Sequence, residues 1–510
     1  YQHESQETVE EIMHERLPKE HFNVVGSGNT TEFPLHRILA VVVINLIGVA
    51  VQPHFIATGG GTAKTEWNAR VGLVTGNFLK RFCTVGWVLT ALIAVALFAD
   101  HPELIADPDK TWGIASRELL GPGLTGLMLA CLLAALMSSV DAYMVVGSAL
   151  VVRNVYVPYI KPAASEQECL RVGRWTGAAI VAGAVIISLA IMDVFKQLQL
   201  TWVLGVVFAA PFWVGMLWRR TTKIAAWSSV LFCVFVFGIA PTVAPMIWPE
   251  MRTDASYAMI NDKILTTTTR EAAPSDVSKR DAEIGQWETQ HEAAVKITDT
   301  SKRLDAEDAI GAKPSPLAVG DEVETVKESG GKGVYWASGV APKDSDIGFE
   351  LVKKKTKDGV VTEQLRYPED TELVGSGSFR SDFVVYKWMG IDMRGFTDAT
   401  LATLDLPVKI LAPFLVIILI SLITPMDKSE AVDRYFIKMK TQVLPDPKED
   451  EAALTAAYGD PEAARAKKLF PNSYLEIQRP NKVDIIGFIV CLALCFGIIG
   501  LAAWVASIGG

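Results

Sequence analysis

The chain is poor in the residues that most enzymes and nucleic-acid binders are built around. It has six cysteines and seven histidines among 510 residues. Cys83, Cys131, Cys233, Cys491 and Cys495 fall in apolar runs and Cys169 in a basic loop. Their spacing matches neither a disulfide framework nor a zinc knuckle. Cys491 and Cys495 stand four apart on an apolar helix and read as a packing or lipid face. There is no basic excess: 48 Lys and Arg against 57 Asp and Glu leave a formal charge of −9, which gives no reason to expect nucleic acid as a partner. Within residues 249–405 no nucleotide loop, zinc signature or nucleophile elbow appears. No signal peptide precedes Tyr1, so the chain reads as a fragment or a processed piece.

What is present is apolar length. Half of the residues are apolar, yet mean hydropathy is only +0.27, too low for a pure membrane bundle. A sizeable polar portion must therefore be mixed in. Apolar runs lie at about 38–57, 77–99, 121–152, 175–192, 201–217, 224–248, 406–425 and 483–507. Each approaches or exceeds the roughly 20 residues that cross a bilayer. The reading is an all-α membrane protein of about eight spans, with a lipid bilayer as its solvent.

Charge sets the expected topology. Lys64, Arg70, Lys80 and Arg81 border one loop; Arg153, Lys161, Arg171 and Arg174 another; Arg219, Arg220 and Lys223 form a basic turn. The connection 100–120 is acidic instead. The positive-inside rule places the basic set in the cytoplasm. Hence 1–37 is an extracytoplasmic segment containing a short acidic amphipathic helix, 38–248 a bundle of six spans, and 249–405 an extracytoplasmic insertion. A further span follows at 406–425, a cytoplasmic segment at 426–482, and a C-terminal span within 483–510. The insertion has no cysteine and one histidine, His291. Its charged stretch 275–312 reads as helical. Phe349 to Tyr367 holds two strand-like runs around Asp358-Gly359, a hairpin signal. A small α+β domain that spaces or docks a partner fits better than a catalytic one. Within the tail, Ala452 to Lys468 reads as a helix resting on the inner leaflet rather than part of a folded unit.

Two stretches carry candidate chemistry. Gly121 to Val152 holds a single charge, Asp141, beside Ser138 and Ser139. At 100° per residue Ala135, Ser138, Ser139 and Ala142 share a face, with Asp141 next to it. An intramembrane carboxylate costs ~2.5–3.5 kcal/mol on insertion scales and so points to function. Serines in such helices also bond back to the preceding turn or glue helices together, and an acid also pairs structurally with a neighbour. The second stretch, 38–57, contains Asn45, Gly48, Gln52, Pro53 and His54. Pro53 removes an amide that would bond residue 49, and Gly48 loosens the turn above it. A helix broken at mid-membrane offers backbone groups to a ligand, while an ordinary proline kink offers none. His54 reads as an interfacial or hydrogen-bonded histidine.

With QPH at 52–54, AALMSSVDAYMVVGSALVVRNVY at 134–156 and FAAPFWVGMLWRRTTKIAAW at 208–227, the chain resembles the sodium/solute symporter family of proline, sugar, pantothenate and sialic acid carriers. The likeness covers about 38–248 well and 406–440 loosely. It implies a partial inverted-repeat bundle of the LeuT type, with 38–57 as core helix six, 121–152 as core helix eight and 201–217 as core helix ten. It also implies a sodium site in which the Ala135 carbonyl and the Ser138 and Ser139 hydroxyls are ligands. The remaining ligands would come from core helix one, which falls outside this chain. A further ion site found in some members does not transfer, because Asp141 and Ala142 occupy its positions; Asp141 is left as a possible ion or proton site. Substrate contacts would fall on Asn45, Val49 and Gln52, with Thr201, Trp202 and Phe208 as looser candidates.

The reading is a secondary transporter in the cell (inner) membrane, multi-pass, coupling Na⁺ to a small polar solute by alternating access, and not an enzyme. A transporter-like sensor or scaffold is the alternative, although 426–482 is short for an output module. The solute, the oligomeric state and the choice between sodium and proton coupling stay open.

Overall fold

The structure is a computed structural model that describes residues 33–510 together with Met13, Phe22 and Val25, except 62, 99–100, 102, 105–106, 191–193, 273, 297–302, 304–308, 358–359 and 508–510. The amphipathic helix expected in 1–37 falls outside that set. Among the described residues, six helices are long and apolar enough to cross a membrane, and Leu35–Val51 and Leu204–Leu217 are shorter apolar helices.

The apolar elements are α1 Leu35–Gly48, α2 Glu66–Leu97, α3 Thr111–Val151, α4 Glu166–Ala190, α5 Val194–Leu217, and α6 Lys223–Cys233 continuing into α7 Ala240–Ile247. Within α3 the chain kinks at Gly121, whose φ of 71° only glycine adopts at little cost, just before Pro122. The elements form two groups. In one, α1 and α5 pack together and α6 lies against α5. In the other, α3 lies against α2 and α4. The α3–α4 contact is made at glycines: a Cβ on Gly177 would stand 2.6 Å from the Met144 side chain, and one on Gly147 2.7 Å from Ile180. Small residues allow this close approach where lipid supplies no hydrophobic drive between helices.

The insertion is an α+β unit. Helix α8 Pro274–Val295 accompanies six strands: β1 Lys263–Glu271, β2 Glu322–Ser329, β3 Val340–Pro342, β4 Glu350–Lys357, β5 Val360–Arg366 and β6 Leu373–Gly375. Four of them make an antiparallel sheet in the order β2-β1-β5-β4, and β3 pairs with β6. The expected hairpin is β4–β5, with Lys357 opposite Val360; its turn at Asp358-Gly359 lies outside the described residues. Val334, Tyr335, Trp336, Phe379, Phe383 and Met393 are buried in its core. Trp336 donates to the Tyr257 carbonyl at 3.1 Å. Arg366 grips the buried Asp262 with both arms, at 2.6 and 2.9 Å, the planar geometry that suits guanidinium to carboxylate.

After the short helix α9 Val384–Trp388, the next apolar helix is α10 Asp398–Ile423. The span expected over 406–425 thus begins eight residues earlier, inside the expected insertion. The cause is local: the Thr397 hydroxyl caps the helix by accepting from the Thr400 amide, and Asp398 sits in the first turn, where the helix dipole favours an acid. Asn261 and Lys332 of the insertion hold Asp398 at 2.9 and 3.0 Å. Helix α10 packs against α1, α5 and α6 and so completes the first group.

The segment 426–482 differs from expectation. The segment holds α11 Glu430–Lys438, and in place of one continuous helix over 452–468 it has α12 Pro447–Gly459 and α13 Pro461–Ala466, because Asp460 caps a new start before Pro461. Lys440 and Lys468 both bond Glu476, and all three are buried. The segment is therefore folded around a charged core. The last helix, α14 Lys482–Ala506, packs against α2, with Arg70 at 2.6 Å from Asp484.

The basic turn joins the segment to the bundle. Arg219 pairs with Asp433, and its amide donates to the Tyr474 carbonyl at 2.9 Å. Arg220 donates to the Ser421 and Leu422 carbonyls at the end of α10, at 3.3 and 2.9 Å. The turn, the segment and the N-terminal ends of α2 and α14 therefore share one end of the bundle, and α7 leads away from them into the insertion.

Candidate ion and solute site

The broken helix is built as its sequence requires. Helix α1 tightens into a 3₁₀ turn at Val49–Val51, and Gln52 is extended, with ψ of 123°, as the residue before a proline prefers. A π-helical turn follows at Phe55–Gly60. Gly48 has a second role that the sequence did not disclose. A Cβ on Gly205 of α5 would lie 3.5 Å from the Gly48 Cα, so the two glycines let α1 and α5 approach backbone to backbone. Next to them Trp213 donates its indole N–H to the Ile47 carbonyl at 2.9 Å. An aromatic on α5 thereby holds the turn in front of the break.

The candidate substrate residues occupy this region. Asn45 donates to the Val41 carbonyl at 2.8 Å, within its own helix. Val49 opens the 3₁₀ turn and Gln52 marks the break. Thr201, Trp202 and Phe208 lie on α5; Thr201 donates to the Gln197 carbonyl at 3.1 Å, and Phe208 is exposed. The side chain of Trp202 lies outside the description.

The candidate ion ligands lie on an uninterrupted part of α3. Ser138 donates to the Ala135 carbonyl at 3.0 Å. The back-bond that serines make in membrane helices is therefore present, and it brings together two of the three oxygens assigned to sodium. Oxygens at that spacing both reach a cation of calcium's size, whose ligand distances run about 2.3–2.6 Å. Ala135, Ser138, Ser139 and Asp141 are exposed, and α3 shows no buried residue around them. Their face is open to whatever packs against it.

One contact joins the two stretches. His54, two residues past the break, meets Tyr143 of α3 edge to face, with ring centroids 4.5 Å apart. Tyr143 was not singled out from sequence, although it lies one turn after Ser139 on the same face and that spacing was available. His54, which reads from the sequence as an interfacial or hydrogen-bonded histidine, touches the serine helix.

A helical membrane protein with a broken helix beside a hydroxyl-bearing helix is the class that this architecture defines. Residues 5–232 match the model of the sodium:solute symporter family, whose members are transporters and not enzymes. The osmoregulated proline transporter OpuE of Bacillus subtilis is 29% identical over 152 residues, covering 29% of this chain and 30% of the relative. The sodium/proline symporter of Escherichia coli is 26% identical over 205 residues, 38% of this chain and 40% of the relative. The sodium/myo-inositol cotransporter 2 of Mus musculus is 24% identical over 373 residues, 65% and 54%. The chain thus spans about a third to a half of the curated relatives it matches. No solved structure matches it.

Proposed function

We propose that this chain acts in sodium-coupled symport, moving a small polar solute by alternating access. The observation that carries the reading is the His54–Tyr143 contact, which sets the helix break at Gln52 against the helix bearing the Ala135 and Ser138 oxygens. Secondary transporters place solute and coupling ion at such a break, where backbone groups are free of the helix ladder. Na⁺ is cargo here, held by the Ala135 carbonyl and the Ser138 and Ser139 hydroxyls; Asp141 supplies negative charge or a proton beside it. Asn45, Val49, Gln52 and Trp202 contact the solute. The relatives' names offer proline and myo-inositol as solutes to try first.

The protein sits in the cell membrane as a multi-pass protein, with the basic end in the cytoplasm and the insertion outside. Transporter-like sensing without transport is the competing reading. Labelled proline and myo-inositol uptake into vesicles, with and without an imposed sodium gradient, separates the two. Gradient-driven accumulation is expected; binding without sodium-driven accumulation of any small polar solute would leave the sensor reading.

A further inference from the structure

The insertion meets the bundle at a buried pair of acids. Asp382 follows strand β6 in a short 3₁₀ turn, Ser381–Phe383, and is 4% exposed. Asp405 faces it from the second turn of α10, and the two carboxyl groups lie within hydrogen-bonding reach. Two cations are near, and both lean on Asp405. Lys409 stands 2.7 Å from its Oδ1 and Arg380 3.6 Å from the same atom. The Arg380 guanidinium is also held over the Phe383 ring, 4.3 Å from its centroid. Both cations form their ion pairs with Asp405 and act on Asp382 only at longer range, and the Asp382 Oδ2 has no hydrogen-bond partner among the described residues.

The turn supplies Asp382 and Arg380, α10 supplies Asp405 and Lys409, and α9 supplies Tyr386, whose hydroxyl donates to the Leu404 carbonyl at 2.6 Å. The α6–α7 span contributes carbonyls only: Val236 accepts from the Ser381 hydroxyl at 2.6 Å and Pro241 from the Phe379 amide at 2.7 Å. That span has no charged residue between Ile224 and Trp248. Two carboxylates in contact, one of them lacking any donor, repel each other in a medium of low dielectric. A proton between them removes the repulsion and supplies the missing donor.

We propose that Asp382 and Asp405 bind one proton between them, and that this proton fastens the insertion to the bundle. Asp382 carries it and donates to Asp405, which keeps its charge for Lys409 and Arg380. Burial, then the facing Asp405 carboxylate, pushes the Asp382 carboxyl up to about 7. A carboxyl raised in the folded state holds its proton more tightly there than when the junction opens. The junction is therefore firmest at acid pH, loosens as pH rises from about 4 towards 7, and levels off above, the slope approaching one proton, or about tenfold in the opening equilibrium per pH unit.

The test is hydrogen exchange of the Phe379 amide in the whole protein, corrected for intrinsic exchange, from about pH 5 to 8. Its protection is expected to fall about tenfold per pH unit across the lower part of that range and then to flatten. Asp382→Asn, which donates without titrating, is expected to keep the acid-pH protection throughout. A flat wild-type profile, or the same slope in Asp382→Asn, overturns the proposal. Infrared difference spectra of the wild type stand independently of the variant's folding. A protonated buried carboxyl lost on passing from acid to alkaline pH supports the proposal, and its absence at acid pH overturns it.

Discussion

His54 and Tyr143 stand ring edge to ring face, 4.5 Å between centroids, and tie the broken helix to the serine helix. Aromatic pairs of this geometry contribute about 0.5–1.5 kcal/mol beyond their buried area. A double-mutant cycle of His54→Ala and Tyr143→Ala on thermal unfolding should return a coupling of about that size. The single variants should also weaken sodium dependence, because the break then loses its register against Ser138. Additive stabilities would show that the contact carries no energy.

Ser138 and Ser139 are the direct test of ion ligation. Ser→Ala at either position removes one oxygen and adds no bulk. Apparent sodium affinity in uptake should fall at least tenfold, ~1.4 kcal/mol or more, while solute affinity at saturating sodium changes far less. If the Ser138 bond to the Ala135 carbonyl is only local glue, both variants will transport as wild type. Asp141→Asn keeps the shape and removes the charge; weaker sodium dependence or a shifted pH profile is expected, and a wild-type response would remove Asp141 from the site.

Orientation is checked by proteolysis. Protease added to intact cells should cut within 255–345 and leave 426–482 intact. Cleavage of 426–482 alone would invert the assignment.

Gly375 tests the core of the insertion. A Cβ there would fall 2.2 Å from the Trp336 indole nitrogen, inside contact distance. Gly375→Ala must push Trp336 off its bond to the Tyr257 carbonyl, and overpacking of this kind costs about 1–3 kcal/mol. The thermal midpoint of the insertion should drop accordingly, while sodium affinity in uptake stays unchanged.

Glu476 holds two buried ammonium groups, Lys440 and Lys468. Glu476→Gln leaves both without a counter-charge, and breaking a buried pair from one side costs about 3–5 kcal/mol. Protease sensitivity of 426–482 in inverted vesicles should rise sharply. A variant as resistant as wild type would mean that this charged core contributes little.

The apolar runs carried most of the helical layout, because a spanning helix is set by length and hydropathy, both local properties. Pro53 and Gly48 announced the break through backbone chemistry alone. What stayed hidden depends on partners distant in sequence. Gly48 reads as a loosened turn until Gly205 stands opposite it. Lys440, Glu476 and Lys468 look like solvated charges because nothing local says that they converge. Asp398 begins a helix where hydropathy still reads as polar, since its cap and its partners Asn261 and Lys332 belong to the insertion. The serine face was legible as a pattern of hydroxyls, whereas its link to His54 requires α3 and the break to be placed in space.

Helix α10 is joined at two heights to the span that runs from the basic turn through α6 to α7, and the insertion closes on the far end of that span. Arg220 grips the Ser421 and Leu422 carbonyls at one end, Ser229 donates to the Pro413 carbonyl at 3.1 Å in the middle, and the Phe379 amide and Ser381 hydroxyl close the other end on Pro241 and Val236. A pair fixed in this way is a braced strut, stiff against shear between its members. Tilting it swings the insertion with it, so a small angular movement of the pair becomes a larger displacement at the edge strand β2. A fluorescent or spin label on that strand would act as the pointer of a mechanical gauge, reading that movement without touching α1 or α3.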